Sequence, residues 1–222
     1  MKNCLITGGA SGLGKELANI YSQKGFHIHL IGRNADKLTE ARRDIEAAGG
    51  EATIYPLDLQ QADAADKLAD KFQADEKKID LLINNAGVGI FGPFPAVSLA
   101  DIETTFATNV YAPILMTKAF LPLLKESGMV INIISTAGLR GKKHEAIYCA
   151  SKFALRGFTE SLQKEFEDSS LRFVAAYMGG MNTPFWDDSD YVKDPSGLPL
   201  PIKIAEKIVE EAEEKLEIII ET

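Results

Sequence analysis

Long apolar runs are missing from this 222-residue chain. No stretch reaches the roughly 18 apolar residues of a membrane-spanning helix, so no membrane is expected among its partners. The opening residues, Met1 to Gly8, carry too short an apolar stretch for a secretory leader. Cysteine is scarce, at two residues, Cys4 and Cys149. They fall in an expected strand and an expected helix, and read as free buried thiols suited to a reducing cytoplasm. Positive charge is in deficit: a net charge of −8 argues against nucleic acid or an anionic surface as the main partner. His27 and His29 share one face of an expected strand. No third ligand stands nearby in sequence, so no metal is expected there. Internal repeats and low-complexity tracts are also lacking.

The chain does have regular alternation. Its 45% hydrophobic content suits one sizeable core, so residues 1–222 read as a single domain. Apolar strand patterns occur at Cys4–Thr7, Phe26–Ile31, Glu51–Pro56, Asp80–Asn84, Met129–Ile134, Leu171–Tyr177 and Glu217–Glu221. Helical patterns occupy Lys15–Lys24, Ala35–Ala48, Gln60–Ala74, Ser98 to about Lys125, Glu145–Asp168 and Ile202–Lys215. Asn34 and Ser98 are expected caps, Gly49-Gly50 a stop, and Pro113 a kink. Such alternation predicts an α/β fold: a doubly wound parallel sheet of about seven strands with helices on both faces. Ligands of such sheets bind outside the carboxyl ends of the strands. Gly8, Arg33, Asp58, Asn85, Ser135 and Met178 all follow strand ends and should meet on one rim. Residues 178–201 are irregular and rich in Gly, Pro and Asp, which reads as a lid. Phe185, Trp186 and Met181 offer it apolar contacts, while Asp187, Asp188 and Asp190 make it acidic.

Two stretches carry chemistry. Thr7-Gly-Gly-Ala-Ser-Gly-Leu-Gly14 lies between a strand and a helix, the context a phosphate-binding turn requires. Tyr148 and Lys152, four apart on an expected helix, share one face. An ammonium there would favour the phenolate and lower the tyrosine's pKa. Tyr148 could then exchange a proton with a substrate oxygen that the Ser135 hydroxyl also binds.

Taken in order, Thr7-Gly8-x-x-x-Gly12-x-Gly14, Asn84-Asn85-Ala86-Gly87, Asn109, Ser135 and Tyr148-x-x-x-Lys152 resemble the short-chain dehydrogenase/reductase family. The likeness covers nearly the whole chain and implies a Rossmann-type fold. It implies Tyr148 as acid or base, with Lys152 lowering its pKa and holding the nicotinamide ribose. Ser135 would position the substrate oxygen, and Asn109 would hold a relay water. Gly8, Ser11, Gly12, Leu13 and Gly14 would line the cofactor phosphates. Asp58 and Leu59 would flank the adenine, Asn85, Ala86 and Gly87 a ribose, and Thr183 the nicotinamide end. It further implies a homodimer or homotetramer, through the helices at Ser98–Lys125 and Glu145–Asp168.

Two departures stand out. Met178-Gly179 replaces a common Pro-Gly, which should free the start of the lid. The glycine-containing tail usual after the last strand is not seen, which should leave the substrate site more open. At the end of the second strand stands Ile31-Gly32-Arg33, with no carboxylate until Asp36. An acidic residue there would bind a 2′-hydroxyl and repel a 2′-phosphate. Arg33 can pair with the phosphate, so NADP is expected rather than NAD. The expected activity is hydride transfer between NADP and a small carbonyl or alcohol. The alternative is a cofactor-binding sensor with little turnover, and the same scaffold also serves epimerases and dehydratases.

Overall fold

A computed structural model describes residues 1–187 and 191–221. Asp188 and Asp190, expected to make the lid acidic, lie outside the described residues.

In chain order the principal elements are β1 (Lys2–Thr7), α1 (Gly12–Gln23), β2 (Phe26–Gly32), α2 (Ala35–Ala47), β3 (Glu51–Pro56), α3 (Ala64–Ala74) and β4 (Ile79–Asn84). There follow α4 (Leu99–Phe106), α5 (Ala112–Phe120), β5 (Leu124–Ile133), α6 (Ala146–Glu165), β6 (Arg172–Met178), α7 (Pro201–Glu211) and β7 (Glu217–Ile220). The seven strands form one parallel sheet in the order β3-β2-β1-β4-β5-β6-β7. Both faces of a parallel sheet must be covered. Leu17 of α1, Ile45 of α2 and Ile208 of α7 pack on one face against Ile6, Leu30 and Val174. Phe72 of α3 and Phe120 of α5 pack on the other against Leu5, Leu82 and Val130. The strand order reverses between β1 and β4, which opens a crevice at their carboxyl ends.

Local chemistry sets the boundaries. Asn34 caps α2 by accepting from Lys37 N at 2.9 Å. Ser98 and Asp101 form a reciprocal capping box on α4. Gly49, at φ 85°, ends α2.

The helical stretch expected from Ser98 to Lys125 is broken twice. A π-helical turn, Ala107–Tyr111, separates α4 from α5. Pro113 lacks the N–H that would bond the carbonyl of residue 109, and its ring crowds that carbonyl. The break therefore falls one turn before the proline. Leu121–Leu123 is a 3₁₀ turn, and β5 begins at Leu124, beyond Pro122. The expected freedom of the lid's start is also corrected. Met178 is 2% exposed and pairs with Ile220, and Gly179 N donates to Ile220 O at 3.3 Å. Pairing with β7 therefore fixes the residues that a proline would otherwise stiffen. Among the described residues, no helix is long and apolar enough to cross a membrane.

Candidate active site

The crevice is latched by side chains. Thr7 Oγ1 at the end of β1 accepts from Asn85 N and Ala86 N, both at 3.0 Å. Asn85 Nδ2 returns bonds to Thr7 O at 3.0 Å and Gly8 O at 3.2 Å. The turn after β1 is thereby tied to the turn after β4. Gly8 turns at φ 66°, and a Cβ on it would meet Asn85 Nδ2 at 3.0 Å. Gly14 packs α1 directly on this turn, since a Cβ there would lie 2.3 Å from Gly8 O.

Gly8, Ser11, Gly12 and Leu13 line the crevice, whereas Gly14 is not among its lining residues. Ser11 begins α1 without a side-chain capping bond. The first N–H groups of a 12-residue helix, and the Ser11 hydroxyl, are therefore available to an anion. These features fit the phosphates of a dinucleotide. A cavity of about 290 Å³ extends from this turn past Gly32, Arg33 and Lys37 to Asp58 and Leu59. The Asp58 Oδ1 accepts from Gln60 N at 3.1 Å, so part of its acceptor capacity serves its own turn. A second cavity of about 600 Å³ continues past Asn85, Ala86 and Gly87 to Ser135, Tyr148, Lys152 and Thr183. Thr183 closes over the glycine turn, its Cβ 3.2 Å from where a Cβ of Gly12 would stand.

Tyr148 and Lys152 project from the first two turns of α6, 8% and 4% exposed. Lys152 Nζ donates to Ile133 O at 3.1 Å and lies 5.7 Å from the Tyr148 ring centroid. Ser135 has φ 116°, strained for a residue with a side chain. Its Oγ accepts from Ala137 N at 3.2 Å and its carbonyl from Gly138 N at 2.9 Å, which hold that conformation.

The expected lowering of the tyrosine's pKa by Lys152 is not found. Burial pushes Tyr148 well above its ordinary value, and the Ser135 hydrogen bond pulls it back only in part. Lys152 has lost its own hydration, which brings it down to about 8. Its ammonium is engaged by the Ile133 carbonyl.

Residues 2–192 match the short chain dehydrogenase family. The chain is a short-chain dehydrogenase/reductase. It is 30% identical over 218 residues to a ketoacyl reductase, HetN, of Nostoc, with 96% of this chain and 76% of that protein covered. It is 33% identical over 192 residues to a fatty acyl-CoA reductase of Acinetobacter baylyi, with 82% of this chain and 63% of that protein covered. A metagenomic short-chain oxidoreductase solved in complex with NADP superposes with a TM-score of 0.82 at 29% identity, covering 99% of this chain and 96% of that one. Members of this family are NAD(P)-dependent oxidoreductases acting on CH–OH and C=O groups, and this chain is one of them.

Within this short-chain dehydrogenase/reductase, Asn109 is 1% exposed and lies in the π-helical turn. Its Oδ1 accepts from Val88 N at 2.8 Å, and its Nδ2 donates to Val88 O at 2.9 Å and Ser151 Oγ at 3.1 Å. Asn109 therefore ties the turn after β4 to α6 beside Tyr148. Sequence reasoning missed a second tie. Asn84 Nδ2 donates to Asn132 Oδ1 at 2.8 Å, and Asn132 Nδ2 donates to Thr159 Oγ1 at 2.8 Å, linking β4, β5 and α6. Lys37 was missed as well. It stands four residues after Arg33 in the first turn of α2, and that spacing could have revealed it. Phe91 and Glu145 also line the larger cavity and carried no motif.

Proposed function

We propose that this chain is an NADP-dependent reductase of small carbonyl compounds, running as an alcohol dehydrogenase in reverse. The observation that carries the reading is the continuity of the crevice. One end presents the uncapped start of α1 with Arg33 and Lys37. The other presents Ser135, Tyr148 and Lys152. The nicotinamide, when bound, supplies or accepts the hydride.

The protein's residues do the rest. Ser135 orients the carbonyl oxygen by hydrogen bonding. Tyr148, kept protonated by its burial, is the proton donor in reduction. Lys152 holds the nicotinamide ribose and supplies positive charge beside the developing phenolate. Asn109 positions this group through Val88 and Ser151; a bound water would extend it into a proton relay. Gly8, Ser11, Gly12 and Leu13 hold the phosphates, and Arg33 and Lys37 the 2′-phosphate. Asp58 and Leu59 flank the adenine. Residues 178–201 act as the lid.

The protein is further proposed to assemble as a homodimer or homotetramer in the cytoplasm. Tyr111 and Phe153, 58% and 43% exposed, give the π turn and α6 apolar surface that a second copy would cover. A panel of ketones, aldehydes and alcohols followed by NADPH absorbance tests the activity. NADPH binding with no turnover of any member would overturn it in favour of a cofactor sensor.

A further inference from the structure

Phe91 stands on the loop that follows β4, and that loop is pinned on both sides of it. Val88 N donates to Asn109 Oδ1 at 2.8 Å and Val88 O accepts from Asn109 Nδ2 at 2.9 Å, while Gly92 N donates to His144 O at 2.9 Å. The Phe91 ring meets four others. It stands edge-on to Tyr148 at 5.3 Å and to Phe185 at 6.1 Å. It stacks on Trp186 at 5.6 Å and on Tyr191 at 4.8 Å, with 28° between the planes in both pairs. Phe185 lies 6.1 Å from Tyr148 as well.

Phe185, Trp186 and Tyr191 all belong to the lid segment 178–201. Polar bonds orient two of these rings. Trp186 Nε1 donates to Met181 O at 2.8 Å, and the Tyr191 hydroxyl is engaged by Lys143 O at 3.0 Å and by the Glu145 carboxyl group. Gly89 supplies clearance, since a Cβ there would overlap the tips of the Phe91 and Phe185 rings. Phe91 is therefore a ring on a fixed loop that bears on the lid and on Tyr148 at once.

We infer that Phe91 is a positioning residue: it clasps the lid through Trp186 and Tyr191 and thereby holds the Tyr148 ring with its hydroxyl toward Ser135. This rests on the proposed reductase reading and its lid, and adds the residue that couples the lid to the proton donor. A phenol that turns about its side-chain bonds swings its hydroxyl off the substrate oxygen. Packing against Phe91 and Phe185 removes that freedom, and Ala137 and Cys149 complete the same buried cluster. Each aromatic pair is worth about 2- to 10-fold beyond its buried area. The two stacked pairs together therefore favour the docked lid by about 4- to 100-fold.

Trp186 is the chain's single tryptophan, so its fluorescence reports the lid directly. The full chain, assayed with NADPH and a panel of aldehydes and ketones, gives the rate. Phe91→Ala should lower kcat by about 10- to 100-fold, the cost of a reacting group displaced by about 1 Å. Trp186 emission should move to longer wavelength and be quenched more readily by acrylamide. NADPH affinity, set mainly at the other end of the crevice, should stay near the parent's. Phe91→Tyr keeps the ring and should restore both readouts. Gly89→Ala keeps every ring but displaces the two tips, and should reproduce the loss; Tm confirms that each variant is folded. A fall in kcat without the emission change, the emission change without the fall, or neither, overturns the inference and leaves the reductase reading standing. NADPH binding with no carbonyl reduced by the parent overturns both.

Discussion

Lys152 stands beneath the ring of Tyr148, its Nζ 5.7 Å from the ring centroid and bonded to the Ile133 carbonyl. The two groups are buried in the same wall, and burial moves them in opposite directions. The phenol rises above its ordinary value and the ammonium falls to about 8. Both shifts favour the neutral forms. The site therefore holds a protonated tyrosine above a lysine that gives up its proton near pH 8 rather than near 10.5.

Replacing Tyr148 with Phe removes the donor and keeps the ring that packs against Phe91. Turnover should fall by roughly 10²–10⁴, the usual worth of a positioned acid, while NADPH binding persists. Steady-state reduction rates and a fluorescence titration of NADPH check this. Near-full activity in the variant would remove Tyr148 from its role.

Lys152→Met tests the buried charge itself. The unfolded chain holds the lysine proton up to about 10.5 and the folded chain only to about 8. Between those values the unfolded state binds more protons, so stability rises with pH across that window. Below pH 8 the penalty is fully present. The variant should lose activity yet melt higher than the parent at pH 7, with the gap closing toward pH 10.5. Melting curves from pH 6 to 10.5 read this directly, and a gap independent of pH would contradict it.

The alternation of strands and helices was legible because the inner strands, such as β4, β5 and β6, are buried on both faces and carry apolar runs. The convergence of Gly8, Arg33, Asp58, Asn85 and Ser135 on one rim followed from the same topology. The kink expected at Pro113 takes the form of the π turn Ala107–Tyr111 just before it, because a proline's steric effect falls on the preceding turn. The pKa relation between Lys152 and Tyr148 was misjudged because helical spacing says nothing about desolvation. Phe91 was illegible. It packs edge-on to Tyr148, and no motif marks burial.

Arg33 and Lys37 bear on cofactor choice. Both line the cavity beyond the glycine turn, and among the described residues neither is held in an ion pair. Arg33→Asp should weaken NADPH by about 10–100-fold, as expected for charge-assisted bonds to phosphate, and spare or improve NADH. Lys37→Gln should weaken NADPH by a few-fold, and that loss should fade at high salt because the residue is exposed. Equal dissociation constants of the parent for NADPH and NADH at low salt would refute the preference.

His29 sets an acid limit on the fold. It is 2% exposed on β2, stacked on His27 at 4.6 Å and edge-on to Phe72 at 4.8 Å. Its nitrogens are bonded to Tyr55 Oη at 3.3 Å and Asn3 Oδ1 at 3.1 Å. Burial brings its pKa from 6.5 to about 3, with the His27 charge adding to the effect. The unfolded chain protonates this imidazole below about 6.5 and the folded chain only near 3. The unfolded state therefore binds the extra proton throughout that interval, and stability falls as pH falls through it. Each pH step of one below 6.5 should remove up to about 1.4 kcal/mol until pH approaches 3. Carboxylates contribute their own losses in the lower half of the window, so the diagnostic region is pH 6.5 to 5. Denaturant unfolding of the parent and of His29→Gln should diverge there. The parent should lose stability steeply, while the variant, less stable at pH 8 for want of the ring contacts, should stay flat. Parallel curves for the two proteins would show that this imidazole is not the group responsible.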